Sequence, residues 1–157
     1  MHLLLLPYTI VSVTYVSFFK GCLMKYLMGI VGASVVNMII GMVWYSSWLF
    51  GAYWLRLIQG LPPQFQPRKD KVATAMIGST VTAVIMAAIM ACFIDRLHII
   101  SLASAFHFGW MVWLGFVATT TLQPVLFSQW PLGLYVVNNG FNLVAMIAMS
   151  VVLVLAL

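Results

Sequence analysis

Four stretches of this chain each run for more than twenty residues without a charge: Leu27–Phe50, Val72–Phe93, Ser101–Leu122 and Leu134–Leu157. An α-helix rises about 1.5 Å per residue, so about 20 apolar residues cross the roughly 30 Å hydrocarbon core of a bilayer. A helix also satisfies its own backbone hydrogen bonds, which lipid cannot do. The fold class expected is all-α, an integral membrane helical bundle with four secure transmembrane helices. Composition closes off the soluble alternative. The 157 residues hold seven Lys/Arg, two Asp (Asp70 and Asp95) and no Glu, while 64% of them are apolar. Soluble domains carry about 25% charged residues, far more than the 6% here.

The few charges mark the gaps. The stretch Leu61-Pro62-Pro63-Gln64-Phe65-Gln66-Pro67-Arg68-Lys69-Asp70-Lys71 has three prolines and four charges and reads as a loop outside the hydrocarbon. Asp95, Arg96 and His98 form a second polar turn, and Gln123–Leu132, with two prolines, a short interfacial loop. The Pro-rich loop defines side A, with Arg56, Arg68, Lys69 and Lys71; side B holds Lys20, Lys25 and Arg96. Four cations against three set side A in the cytoplasm. A bacterial cytoplasmic membrane is the expected location, an organelle membrane such as the mitochondrial inner membrane the alternative. The net charge of +5 is thus spent on topology, and the expected partner is the lipid bilayer and not nucleic acid.

Ahead of the four-helix membrane domain (27–157) lies an N-terminal apolar segment (1–26). Its run Leu3–Phe19 contains Pro7 and is closed by Lys20 and Lys25. Phe18-Phe19-Lys20-Gly21-Cys22 does not resemble a cleavage or lipidation site. The segment is expected to remain, either as a fifth span or in the interface. Cys22 and Cys92 fall on the same side. They make no disulfide framework, but a single bridge and a pair of buried thiols are both open.

Lipid gives helices no hydrophobic reason to associate, so small residues at i, i+4 spacing mark the packing seams. Such stripes are Gly29, Ala33, Asn37 and Gly41; Ala75, Ser79, Ala83, Ala87 and Ala91; and Ser101, Ala105 and Gly109. Asn37 lies on the first, as interhelical glue or as a ligand contact. Asn138, Asn139 and Asn142 open the last span; capping accounts for the first two, and Asn142 lies deeper. His107 stands about 9 Å into the third span, with Trp110 and Met111 on its face. A structural His and a haem or proton-relay His are both open, though no second intramembrane His offers an axial partner. Asn37, His107, Trp110 and Asn142 form the candidate polar interior site. Trp44, Tyr45, Trp48 and Trp54, with Tyr53, form an interfacial aromatic cluster at side A: a belt, a platform closing the bundle end, or an amphiphile site.

No secure span contains a carboxylate, which removes proton-driven export of the four-helix kind. No Gly-rich phosphate loop, Cys/His metal cluster or Ser–His–acid set is evident, so no cofactor, metal or catalytic residue is expected.

Several motifs occur together in order. Gly41-Met42-Val43-Trp44-Tyr45-Ser46-Ser47-Trp48-Leu49-Phe50-Gly51 with Trp54, then Trp113-Leu114-Gly115-Phe116-Val117-Ala118-Thr119, Phe127-Ser128-Gln129-Trp130-Pro131 and Asn138-Asn139-Gly140-Phe141 resemble the hallmarks of the DUF1761 family. The resemblance runs from about Leu27 onward. It implies a small four-helix membrane protein without an established activity, so it carries over no catalytic residue. The chain departs from the family in its N-terminal apolar run and in Trp130, where a charged residue is common. Three functions follow as expectations. The first is a non-enzymatic protein acting through helix association, as a homo-oligomer or an accessory subunit of a membrane complex. The second is a small transporter or amphiphile-binding protein using the Asn37, His107, Trp110 and Asn142 face. The third is a membrane enzyme or haem protein.

Overall fold

The structure, a computed structural model, describes residues 17, 20–66 and 69–156. The expected N-terminal run over 3–19 lies, Ser17 apart, outside the described residues. Four helices are long and apolar enough to cross a membrane: Leu27–Trp44, Val72–Arg96, Leu102–Ser128 and Leu132–Leu155. We label them α1, α3, α4 and α5; α2 is the short helix Gly51–Gln59. All four expected spans are present, with shifted ends. The first stops six residues before Phe50, the second runs on to Arg96, and the third continues past Pro124 to Ser128.

Each shift has a local cause. At the end of α1 the bonding tightens, with Ser46 N–H donating to Val43 O, and then widens as Phe50 N–H donates to Trp44 O and Gly51 N–H to Ser46 O. A Cβ on Gly51 would sit 2.1 Å from the Tyr45 carbonyl oxygen, so this turn admits no side chain there. At the other end of α1, Tyr26 N–H donates to Cys22 O and Ile30 N–H to Tyr26 O, which carries the helix back into residues 20–25. Pro124 falls at the start of the last helical piece of α4, Gln123–Ser128, where its missing N–H is tolerated. Gln129, left-handed at φ 53°, ends that piece. Ser101 caps the start of α4, its Oγ accepting from Ser104 N–H. The last span begins at Leu132, capped by Pro131 without a side-chain bond. Asn138 and Asn139 are therefore two turns inside the helix, and capping does not explain them.

The most buried of the spans is α5, which packs against α1 and α4 and, over a shorter length, α3. The core sits toward side B, where Tyr26, Ile30, Ala33, Ala87, Ala91, Ile94, Ala105, Met149 and Leu153 close together. Small residues set the approach. Gly109 lies so near α5 that a Cβ would be 2.8 Å from Ile147 Cα and 2.9 Å from Met146 O. The stripe on α3 divides: Ala83, Ala87 and Ala91 are buried, while Ala75 and Ser79 are exposed. Toward side A, then, α3 leaves the bundle and a groove opens between α1 and α3. Phe65 meets Trp130 at 5.7 Å between ring centroids, which joins the two side-A loops.

Candidate functional site: an aromatic–amide lock and the groove beside it

Four ring donors from the side-A half converge on a single turn of α5. Tyr45 Oη and Trp54 Nε1 both donate to Asn138 Oδ1, at 3.0 and 3.1 Å. Trp44 Nε1 donates to the Val137 carbonyl at 3.0 Å, and Trp113 Nε1 to the Asn139 carbonyl, also at 3.0 Å. The Asn139 amide is buried; its Oδ1 accepts from Thr121 and its Nδ2 donates to Tyr135 O. Buried polar groups are expensive unless paired, and this network pairs them across α1, α2, α4 and α5. Space for the rings comes from glycine: a Cβ on Gly140 would meet the Trp44 ring at 2.8 Å.

The α4 side of the network is irregular. Residues Trp113–Ala118 form a π-helical turn, a rare form that occurs mostly as single turns inside α-helices. Its carbonyls are covered by the threonines that follow: Thr119 donates to Gly115 O, Thr120 to Phe116 O and Thr121 to Val117 O. Tyr135 Oη takes the Ala118 carbonyl at 3.0 Å. The turn thereby faces Trp113 and Thr121 to α5 together.

Tyr45 is the shared wall of three spaces. Behind it, a cavity of about 350 Å³ is bounded by Thr121, Trp130, Tyr135, Asn138 and Asn142. In front of it, the α1/α3 groove has an outer part of about 660 Å³ with Trp54, Leu55 and Lys71 at its mouth. The inner part, about 390 Å³, reaches Asn37, Met38 and Gly41. Tyr45, Met76 and Ser79 line both parts, so the groove is continuous. The Tyr45 phenol, protonated at neutral pH like any tyrosine, donates to Asn138 from this wall. Asn37 lines the inner end, and its Oδ1 is the one buried side-chain polar atom without a hydrogen-bond partner among the described residues.

A family model for proteins of unknown function, DUF1761, matches residues 28–154. The chain belongs to the DUF1761 family. No curated protein and no solved structure matches it.

The DUF1761 motifs acquire a physical meaning from this geometry. Trp44, Tyr45 and Trp54 of the first motif, Trp113 of the second and Asn138-Asn139-Gly140 of the last are one interlocked unit. Of the aromatic cluster, Trp44, Tyr45 and Trp54 turn inward, whereas Trp48 is 95% exposed and stands in the belt position. The four residues of the polar interior site are not brought to one place. Asn37 lies in the groove and Asn142 in the cavity behind Tyr45. His107 faces outward with Nδ1 2.8 Å from Ala103 O on its own helix. Trp110, also outward, lies 5.2 Å from the Trp113 ring. Neither lines the groove or the cavity. Among the described residues no three His, Cys or Asp side chains gather as metal ligands would. Asn138, Asn139, Trp113 and Thr121 were not in the expected site. The Asn-Asn-Gly-Phe motif, placed mid-helix where capping has no use for it, is the signal that points to them.

Proposed function

We propose that this is a non-enzymatic membrane protein that binds an amphiphile in the α1/α3 groove. One observation carries the reading: the groove is apolar along its walls and polar at its two ends. Lys71 stands at the side-A mouth, and Asn37, whose Oδ1 is buried and unpaired, lines the inner end. Eight residues of α1 separate Asn37 from Tyr45, or about 12 Å of depth. An anionic headgroup suits Lys71, an apolar body suits Met38, Met42 and Met76, whose flexible side chains adapt to varied shapes, and a hydroxyl or amide on the body suits Asn37. Tyr45, held by Asn138, is the fixed wall. This reading sets side A, with four Lys/Arg against three, in the cytoplasm of a bacterial cell.

The test is lipid analysis of protein extracted with its native bilayer. The wild type should retain a discrete amphiphile. Ser79→Trp, which fills the groove from α3, should reduce retention about tenfold, a change worth about 1.4 kcal/mol. Asn142→Leu, behind the Tyr45 wall, should leave it unchanged. Equal retention by wild type and Ser79→Trp sinks the proposal.

A second reading, self-association, draws on the outer half of α3. Ala75 and Ser79 are exposed there, and a Cβ on Gly78 would meet nothing within 4 Å. Small residues of this kind let a second helix approach closely. A native mass equal to a single chain in mild detergent counts against it.

A further inference from the structure

On side B, residues 20–26 dock against the end of α3 through two neighbouring contacts. Lys25 Nζ bonds Asp95 Oδ1 at 2.8 Å, and Tyr26 Oη donates to the same oxygen at 3.2 Å. One turn away, Cys92 Sγ donates to Cys22 Sγ at 2.7 Å. The spacing fits: Cys22 and Tyr26 are four apart, and Cys92 and Asp95 three apart, so each pair shares a helix face. The two thiols are thus aimed at one another by contacts that do not involve sulfur. Cys22 is 3% exposed and Cys92 half-buried. They lie on the same side of the protein, so a single compartment governs the redox state of both.

We propose that Cys22 and Cys92 form an intramolecular disulfide that fastens the N-terminal segment to α3. The 2.7 Å between the two sulfurs is less than 1 Å longer than the roughly 2.05 Å disulfide bond. The oxidant is of the disulfide class, a small-molecule or protein disulfide. The Cys92 thiol, the more accessible, loses its proton and attacks the donor disulfide, giving a mixed disulfide and releasing one donor thiol. Cys22 then loses its proton and attacks the Cys92 sulfur, releasing the second. Two protein thiols are oxidised and one donor disulfide is reduced to two thiols. The bond joins residues 70 positions apart in sequence and removes from the segment its freedom to leave α3.

The experiment uses the full chain extracted with native lipid, fully reduced, and then exposed to oxidised glutathione. After a quench with N-ethylmaleimide, intact mass is measured. The expected product has lost two hydrogens, carries neither glutathione nor maleimide, and regains two maleimide sites after reduction. Cys22→Ser should stop at a single glutathione adduct on Cys92. Three results overturn the proposal: a wild type that keeps an unresolved glutathione adduct, one that takes maleimide at both cysteines, or one that gives a covalent dimer on a non-reducing gel.

Discussion

The two ends of the bundle are held by different physics. Toward side B the helices meet through Ala33, Ala87, Ala91, Ala105 and Gly109, all buried, and the buried hydroxyls among them, Ser34 and Ser150, turn back onto carbonyls of their own helices. Toward side A the helices diverge, leaving a groove and a cavity, and the connection is made by ring N–H and O–H groups on Asn138, Asn139 and Val137. Close packing through small residues joins the helix backbones directly, and the hollow of about 330 Å³ beside that seam, between Ile89, Phe93 and Phe108, has almost wholly apolar walls. A hydrogen-bonded frame spans space without filling it. The contrast explains why the binding reading belongs to side A, and it predicts different penalties for damage at the two ends.

The largest should fall on side B. Gly109→Ala forces a methyl group to within 2.8 Å of the α5 backbone, and backbone yields only by separating the helices. Overpacking of this kind costs about 1–3 kcal/mol and sometimes more. Gly78→Ala and Gly115→Ala, with nothing within 4 Å of the new methyl, are the neutral controls. Thermal unfolding in lipid nanodiscs checks this. A midpoint for Gly109→Ala no lower than the controls would break the side-B half of the comparison.

A smaller effect is expected at side A. Asn138→Leu removes the acceptor of both Tyr45 and Trp54 and leaves two ring donors in a region with little water. An unpaired buried donor costs about 1–3 kcal/mol, while interhelical hydrogen bonds in membranes average nearer ~0.6 kcal/mol. The midpoint should fall less than for Gly109→Ala, and the Trp54 emission should shift to the red as α2 lifts from α5. Because Tyr45 loses its anchor, retention of the groove amphiphile should fall as well. An Asn138→Leu protein with unchanged emission and retention would show that the amide does not set the frame.

Much of this architecture was legible in the sequence because the bilayer is a severe solvent. Four charge-free runs can do little except span it, and within the small stripes Gly29 on α1 and Gly109 on α4 stand against α5, while Asn37 and Gly41 line the groove. The stripe on α3 misled over its outer half. Spacing records which residues share a face, not whether a partner covers it, and Ala75 and Ser79 are uncovered. For Trp44, Tyr45 and Trp54 a belt, a platform closing the bundle end and an amphiphile site are all open, because interfacial aromatics most often form a belt and composition does not tell which way they turn. Their inward turn depends on Gly51 and Gly140, residues whose role is the volume they leave empty. His107 and Asn142 were grouped by depth alone, and depth does not tell which way a helix is rotated. The π-helical turn at Trp113–Ala118 changes the rotation only of the part of α4 that follows it, Thr121 included, and nothing in the periodicity announces it.

The smallest effect returns to side B and its surface. The Lys25 ammonium is raised above its ordinary value of 10.5, first by its hydrogen bond to Asp95, yet the pair is exposed, with side-chain exposures of 57% and 25%. Exposed pairs contribute little and are screened by salt. The sign follows from the direction of the shift. A lysine whose folded value is raised contributes its full stabilisation below about 10.5, and that contribution disappears as pH rises through the higher folded value. Lys25→Ala should therefore leave the thermal midpoint of the bundle at its wild-type value, because the alanine and glycine seams do not depend on it. What should change is local: backbone amides of residues 22–26 should lose protection against deuterium exchange relative to their intrinsic rate at the same pH, and the wild type should lose the same protection in high salt or as pH passes the raised folded value of Lys25. If Lys25→Ala instead lowers the midpoint as far as Asn138→Leu does, side B is held by charge as much as by packing, and the contrast between the two ends fails.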